Sequence, residues 1–590
     1  MIEPFDFKEA SITFLAPLMD LPVEEVRALG ERPPRPELGD FAIPCFSLAK
    51  KRHQAPQAIA KDLVKTIESQ PLPSFLIKVQ AEGAFVNLFY RPELFAKKMV
   101  GNILTQRGEY GRSRIGEGKN VVVDYSSANI AKRFHVGHAC STLIGNAICN
   151  LKEFLHYNTI RCNYLGDYGT QFGKLIVAYR KYSNPEALEA DPIEELTRIY
   201  VKFHEEAEVH PELEEEARAA FKALEEKKPE ELALWEKFCQ VSLAAFQKTY
   251  DRLGVRFDNF KGEAFFAQFV PEVLTLLKEK ELLTESEGAQ VVDLEAYGLN
   301  PCIIIKSDGA SIYATRDLAA ILYRKRTWDF SENLYVVGKE QKNHFKQVFA
   351  VMDRLGFPDV DKCRHITFGL VKFKDAAFST RKGNAIQLND LLDHSVERIQ
   401  AIIDSNMPDE SPAYRAELAE IIGVDSVIFT YVKNSRDRDI LFDWDEILDF
   451  EGDTAPYLLY AFARGRSVLE KAIASGLVKT KEPVGEALPE IIWEEGDFEL
   501  LISEEEQNLL RHLEIFPNRV LEANKVYEPC LISKYLLDLA RLFNRFYHGC
   551  PILTADDPRL IRARLGLTEA TALVLQNGLK ILGLKTVNRM

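Results

Sequence analysis

Apolar positions along the chain fall into blocks of different period, and each block predicts a different kind of element. Residues 1–110 mix two periods: Ala55 to Ile67 has helical spacing, whereas Ile77-Lys78-Val79-Gln80 and Phe85-Val86-Asn87-Leu88-Phe89 alternate as half-buried strands do. A small α/β unit is expected there. Gln106 to Lys119, rich in glycine and charge, reads as a linker. From 111 to 395 the pattern changes. Val121-Val122-Val123-Asp124-Tyr125 is a short apolar strand, followed by a polar loop from Ser126 to Phe134. A helix beginning near His135 then places Ile144, Ile148, Leu151 and Leu155 on one face. A second strand spans Thr159 to Leu165, and another helix runs from about Gln171 to Tyr182. This order is a βαβ unit, which implies a parallel sheet covered by helices. Residues 185–290 are acidic and helical, rich in Glu and Ala, and read as an insertion. The α/β pattern resumes at Cys302–Ile305 and at Leu334–Val337. Beyond about 395 the chain reads as almost wholly helical, as a connector over 396–460 and a terminal unit over 461–590. The expected class is multidomain α/β plus α.

Composition adds exclusions. With 590 residues, 46% hydrophobic and 28% charged, the chain is globular and large enough for several cores. A formal net charge of −15 argues against non-specific coating of nucleic acid but leaves room for a local basic face. The nine cysteines include no CxxC pair, which removes a thiolate zinc ribbon and a disulfide framework and points to a reducing cytoplasm. No apolar run reaches the ~18 residues of a membrane span, and no secretory signal is read at the N-terminus.

The first chemical signal is His135-Val136-Gly137-His138, where a parallel strand hands over to its helix. Such junctions bind ligands at the carboxyl ends of strands, and a helix N-terminus favours phosphate. His135 and His138, three apart, share a face and can donate to phosphate oxygens. Gly137 lets a nucleotide lie against the backbone. Two other readings stand beside this one: zinc ligation, for which no third ligand has a recognisable spacing, and ordinary helix capping or core packing.

The wider sequence resembles arginyl-tRNA synthetases, which are class I enzymes. Tyr125 through His138 resembles their HIGH region, and Asn163-Tyr164-Leu165-Gly166-Asp167-Tyr168-Gly169-Thr170-Gln171-Phe172-Gly173 their next block. Ser307-Asp308-Gly309 with Tyr313-Ala314-Thr315-Arg316-Asp317 matches a third, and Phe378-Ser379-Thr380-Arg381-Lys382-Gly383-Asn384 lies where the class carries its KMSKS loop. The C-terminus, from Ala570-Thr571 to Arg589-Met590, resembles the family's ending. The resemblance implies a Rossmann-type catalytic domain over 111–395 with a helical insertion at 185–290, an N-terminal domain over 1–110 that contacts the tRNA elbow, a stem-contact connector and a helical anticodon-binding domain. It implies ATP with Mg²⁺ as a substrate complex and no dedicated metal site. L-arginine and tRNA(Arg) are the implied partners, and a cytoplasmic monomer is expected.

The same resemblance assigns residues. His135, Gly137, His138, Ser379 and Thr380 would bind ATP. Both KMSK lysines are absent, and Lys132 would compensate at the phosphates with Arg381 and Lys382, whose alternative is a solvated charged turn. Ala128 and Arg133 stand where the family often has proline. A guanidinium offers five donors in a flat fork and needs carboxylates to accept them. Asp317 and Tyr313 are placed at that end with Asp124 as a further acceptor, and Asn129 and Gln341 at the ammonium and carboxylate end. Taken singly, Asp317 reads equally as a helix cap and Asp124 as a solvated strand end. A site of this kind rejects lysine without help, so the insertion is not expected to edit. Arg464, Arg541, Asn544, Arg545 and Tyr547, with Arg466, Lys534, Tyr535 and Phe546, mix cations and rings as RNA-loop readers do, although each ring also fits a helical core. In the N-terminal unit, Gly39-Asp40-Phe41-Ala42 carries the likeness, but Pro44 replaces a polar residue suited to reading a base. A cysteinyl or glutamyl enzyme, a short nucleotidylyltransferase and a non-catalytic tRNA-binding relative are the competing readings.

Overall fold

The computed structural model describes residues 5–307, 309–374, 386–481 and 490–590. Near the N-terminus, β1 (Phe41–Pro44), β2 (Leu76–Glu82) and β3 (Phe85–Tyr90) form an antiparallel sheet of order β1-β3-β2. The helix Pro56–Glu68 starts on a proline, whose missing N–H costs nothing at that position, and buries Ile59, Ala60, Leu63, Val64 and Ile67. The expected alternation in β2 is broken. The register shifts between Leu76 and Lys78, so Leu76 and Val79 both point inward and Ile77 is exposed.

The central sheet has order β10-β9-β4-β5, with β4 at Asn120–Asp124, β5 at Asn158–Cys162, β9 at Glu332–Val336 and β10 at Cys363–Ile366, all parallel. The unbroken apolar run of β4 follows from burial on both faces. Val121 and Val123 join one core with the Val136–Phe154 helix, and Val122 joins a second core with the helices Tyr313–Trp328 and Lys342–Arg354. Chain order reverses between β4 and β9, which opens a crevice at their carboxyl ends.

Two expectations change here. The segment after the inserted helices is a hairpin, with β6 (Leu283–Ser286) and β7 (Ala289–Val292) joined by Glu287 and Gly288 at φ 50° and 78°. The strand β8 (Cys302–Ile305) pairs antiparallel with β7 and so lies outside the parallel sheet it was expected to extend. Between β5 and this hairpin the inserted region is helical, ending in the long Pro229–Leu253 and shorter Glu263–Ala267 and Val270–Glu279 helices.

Among the described residues the C-terminal region is mainly helical, with an isolated bridge between Thr480 and Ile491 and the strand β12 (Ile440–Phe442), which pairs parallel with β11 (Val371–Phe373) and is too short for a period to reveal. The helix Pro558–Leu582 is buried along most of its length and packs against the helices Ala455–Ala474, Cys530–Gly549, Val136–Phe154 and Pro92–Gln106. The stretch read as a linker is a docked seam. Tyr110 is buried with its hydroxyl donating to Leu513 O (3.0 Å), and a Cβ on Gly111 would overlap the Phe516 ring.

Candidate active site

The helix Val136–Phe154 begins where β4 and β9 end, and its N-cap is His135. His135 Nδ1 accepts from Gly137 N (3.1 Å), and His138 Nδ1 accepts from His135 N (3.2 Å). The capping reading is therefore realised by both rings. It also sets their tautomers: with Nδ1 accepting, the proton of each neutral imidazole sits on Nε2, the free donor. The rings stack 3.8 Å apart, and a Cβ on Gly137 would press on the His135 ring. Burial lowers His138 to about 3, with His135 and Lys132 adding to the effect, and burial lowers His135 too. Both are neutral donors at pH 7. Lys132 is exposed and close enough to act on both.

The loop leading into this cap is held in sparsely populated backbone. Ser126, Ser127 and Ala131 have φ of 71°, 48° and 59°. Its anchors are buried hydrogen bonds. Ser126 N donates to Ser141 Oγ (2.8 Å), Thr142 Oγ1 donates to Ser126 Oγ (2.9 Å), and the Tyr250 hydroxyl lies 2.8 Å from Ser126 Oγ. Asn163 Nδ2 donates to the same tyrosine (2.9 Å), and Ala131 N donates to Ser242 Oγ (3.0 Å). Tyr250 and Ser242 both lie on the inserted Pro229–Leu253 helix. Arg133, at a family proline position, pairs with Glu194 and Asp191 of the insertion. Asn129 bridges to Gly166, where any Cβ would overlap Asn129 Oδ1.

Three carboxylates, Asp124, Asp317 and Glu263, lie near enough to act on one another. Asp124 is buried, accepting from Arg324 Nη2 (2.5 Å) and Ser127 Oγ (3.0 Å). Burial raises its carboxyl against the opposing pull of Arg324. Asp317 lies close enough to add to that rise and to that of Glu263. It is not a helix cap, because the cap of the Tyr313–Trp328 helix is Ile312, and its Oδ2 meets His344 Nε2 at 2.6 Å. Tyr313, largely exposed, has the Arg316 guanidinium 5.0 Å from its ring. Gln341 is exposed in the turn that caps the Lys342–Arg354 helix. Four residues here were given no role from sequence, although Arg316 lies within the third resembling block. Glu263 accepts from Arg316 Nη2 (2.9 Å) and is raised to about 7 by burial; Arg316, Arg324 and His344 are the donors already described. Their partners lie 53, 200 and 27 residues away, beyond the reach of any local period.

Ser379, Thr380, Arg381 and Lys382 lie outside the described residues, as does Asp308. Ile386 O accepts from Val136 N (3.0 Å), so Ile386 is tied to the start of the histidine helix.

In the C-terminal bundle, the Arg464 guanidinium lies between the rings of Tyr460 (4.7 Å) and Tyr547 (4.8 Å) and donates to Asn544 Oδ1 (2.6 Å). Tyr547 and Arg545 are exposed, whereas Arg541 is engaged by Asp453 and Asp538. Tyr535 and Phe546 are core residues, Arg466 is partly buried, and Lys534 is exposed. Among the described residues no cluster of three or more His, Cys, Asp or Glu could hold a metal ion, and no helix is long and apolar enough to cross a membrane.

Comparison with known proteins bears directly on this site. Residues 99–444 match the family model of class I (R) tRNA synthetase catalytic domains, 458–590 the DALR anticodon binding domain, and 8–90 the arginyl tRNA synthetase N terminal domain. The chain is 46% identical over 587 residues to an arginine–tRNA ligase of Clostridium kluyveri, covering 99% of this chain and 100% of that one. It is 45% identical over 585 residues to one of Clostridium perfringens, with the same coverage. In fold it is similar to the Thermus thermophilus arginyl-tRNA synthetase (TM-score 0.78, 24% identity, 99% of this chain and 100% of that one). With a catalytic model matching more than half of its length and near-full-length relatives almost half identical, the chain belongs to the arginyl-tRNA synthetase family.

Proposed function

We propose that the protein joins L-arginine to tRNA(Arg) at the cost of ATP, through an arginyl-adenylate. The arginine carboxylate attacks the α-phosphorus and pyrophosphate leaves. The 3′-terminal ribose hydroxyl of the tRNA then attacks the activated carbonyl, and AMP leaves. The protein's own work is positioning and electrostatics. His135 and His138 donate Nε2–H to phosphate oxygens, Gly137 leaves room for the nucleotide, and Ser379 and Thr380 contact ATP. Lys132 offsets charge growing on the phosphates, with Arg381 and Lys382 joining it. The tie between Ile386 and Val136 supports that role, since Lys382 is only four residues before Ile386. Magnesium arrives with ATP, on its phosphates.

Arginine's guanidinium lies between Asp317, Glu263 and the Tyr313 ring. Asp124 acts through Arg324, which already holds one of its oxygens, and so shapes the wall of the site more than it touches substrate. Asn129 and Gln341 hold the ammonium and carboxylate end. The tRNA lies along Arg464, Arg541, Asn544, Arg545 and Tyr547, with 1–110 at its elbow, 396–460 on its stem and 461–590 on its anticodon. The enzyme works as a cytoplasmic monomer.

The observation that supports this reading is the pair of Nε2 donors at a helix start, in a chain whose Asp124, Asp317 and Glu263 act on one another as a carboxylate group. Pyrophosphate exchange into ATP, measured with each of the twenty amino acids in the presence of tRNA, should occur with arginine alone. Exchange with another amino acid and none with arginine would overturn the assignment. Omitting tRNA should abolish exchange.

A further inference from the structure

Asp124, Glu263 and Asp317 lie near enough to act on one another, and each is held by a donor from elsewhere in the fold. Asp124 is held by Arg324 (2.5 Å) and Glu263 by Arg316 (2.9 Å), so a fixed cation offsets each charge. Asp317 differs. Its partner is an imidazole, His344 Nε2 at 2.6 Å, with the two side chains 23% and 16% exposed. The His344 ring is braced edge-on by Phe345 (centroids 5.3 Å apart, planes at 77°).

We propose that His344 is a positioning residue for arginine selection: through Nε2 it fixes the plane of the Asp317 carboxylate, where Asp124 and Glu263 are held by arginines. This rests on the assignment of Asp317 to the substrate guanidinium. The outer torsion of an aspartate is broad and soft, so an unheld carboxylate turns freely. Recognition of a flat fork through two parallel hydrogen bonds needs both oxygens in the plane of the guanidinium. The imidazole, meeting Oδ2 through Nε2 at 2.6 Å, takes one lone pair of that oxygen and leaves the other lone pairs of the carboxylate for the ligand. A lysine or arginine at the same place would orient the carboxylate equally well but would supply the counter-ion itself, as Arg324 and Arg316 do. Of the three carboxylates, Asp317 is the one for which the described residues supply an imidazole in place of an arginine.

Steady-state kinetics on the full-length enzyme test this. His344→Leu removes the donor and should raise the KM for arginine about tenfold or more, with the KM for ATP within about twofold of wild type. His344→Gln supplies a donor from its amide and should restore the arginine KM to within about threefold of wild type. His344→Lys places a permanent cation against Asp317 and should raise the arginine KM at least as far as leucine does. An unchanged arginine KM in the leucine variant, or a lysine variant as good as the glutamine one, would overturn the inference. Should the leucine variant fail to fold, the glutamine–lysine comparison decides alone. Asp317→Asn separates the two levels. If it leaves the arginine KM unchanged, the assignment of Asp317 fails; if it raises that KM while the His344 variants do not, only the role of His344 fails.

Discussion

Burial lifts the Glu263 carboxyl to about 7, with Arg316 pulling it down and Asp317 and Asp167 pushing it further up. Its ordinary value is 4.5, so between about 4.5 and 7 the folded protein holds a proton on Glu263 that the unfolded chain has released. The group's contribution to stability is therefore lost as pH rises through 7, and it is ionised only at the upper end of that window. If the substrate guanidinium pairs with Glu263 as proposed, arginine binding needs the ionised form. From pH 8 to pH 6 the ionised fraction falls about tenfold, and the KM for arginine should rise by up to about the same factor. Glu263→Gln should raise that KM at pH 8 and flatten its dependence between pH 6 and 8. A glutamine variant that retains the wild-type slope would assign the titration to another group. His138, lowered to about 3, stays neutral throughout this range and contributes no slope.

At the scale of elements, the inserted Pro229–Leu253 helix acts as a buttress for the loop between β4 and the histidine helix. Its Tyr250 is buried, and its hydroxyl serves both Ser126 Oγ and Asn163 Nδ2. Asn163 Oδ1 already lacks a partner, so Tyr250→Phe would leave that amide with no bond on either end. The loss is about 1–3 kcal/mol, and it falls on a backbone held at positive φ at Ser126 and Ser127. The variant should melt a few degrees lower and lose about tenfold or more in kcat for pyrophosphate exchange, whereas Tyr179→Phe, on the Thr170–Tyr182 helix where the hydroxyl accepts an exposed bond from Lys237, should change neither. The helices and parallel strands of this region were legible because each carries its own period over a dozen residues or a fully apolar core. The β6–β7 hairpin was not, since four-residue strands such as Leu-Thr-Glu-Ser show no alternation and only Glu287-Gly288 marks the turn. The histidine pair, Asp124 and Asp317 could be read from motif and position. The donors that orient the carboxylates could not, because Arg324 reaches Asp124 across 200 residues and only the folded sheet brings them together.

Across the whole molecule, the two ends of the chain meet. Asp40, next to β1, is nearly buried: its Oδ2 accepts from Tyr90 N (2.8 Å) and its Oδ1 from Arg511 Nε (2.6 Å) in the helix Glu504–Glu514. Arg32 Nη1 donates to Arg511 O (2.7 Å), and Asn577 Nδ2 to Arg107 O (3.0 Å) and Tyr110 O (3.2 Å). The N-terminal sheet is thus fixed on the helical bundle at a site remote in sequence from the histidines. If the first contacts the tRNA elbow and the second its anticodon, this seam sets the distance between two ends of one rigid ligand. Arg511→Ala would leave the Asp40 carboxylate buried and without its cation, a change that costs about 3 kcal/mol or more, whereas adding Asp40→Asn removes the stranded charge and keeps the acceptor for Tyr90 N. The double variant should therefore unfold at a higher urea concentration than Arg511→Ala alone. Both should raise the KM for tRNA and leave the KM for arginine within about twofold of wild type, since no group of the arginine pocket is touched. An arginine KM that shifted with the tRNA KM would mean that the seam acts on the pocket as well as on the spacing of the two tRNA contacts.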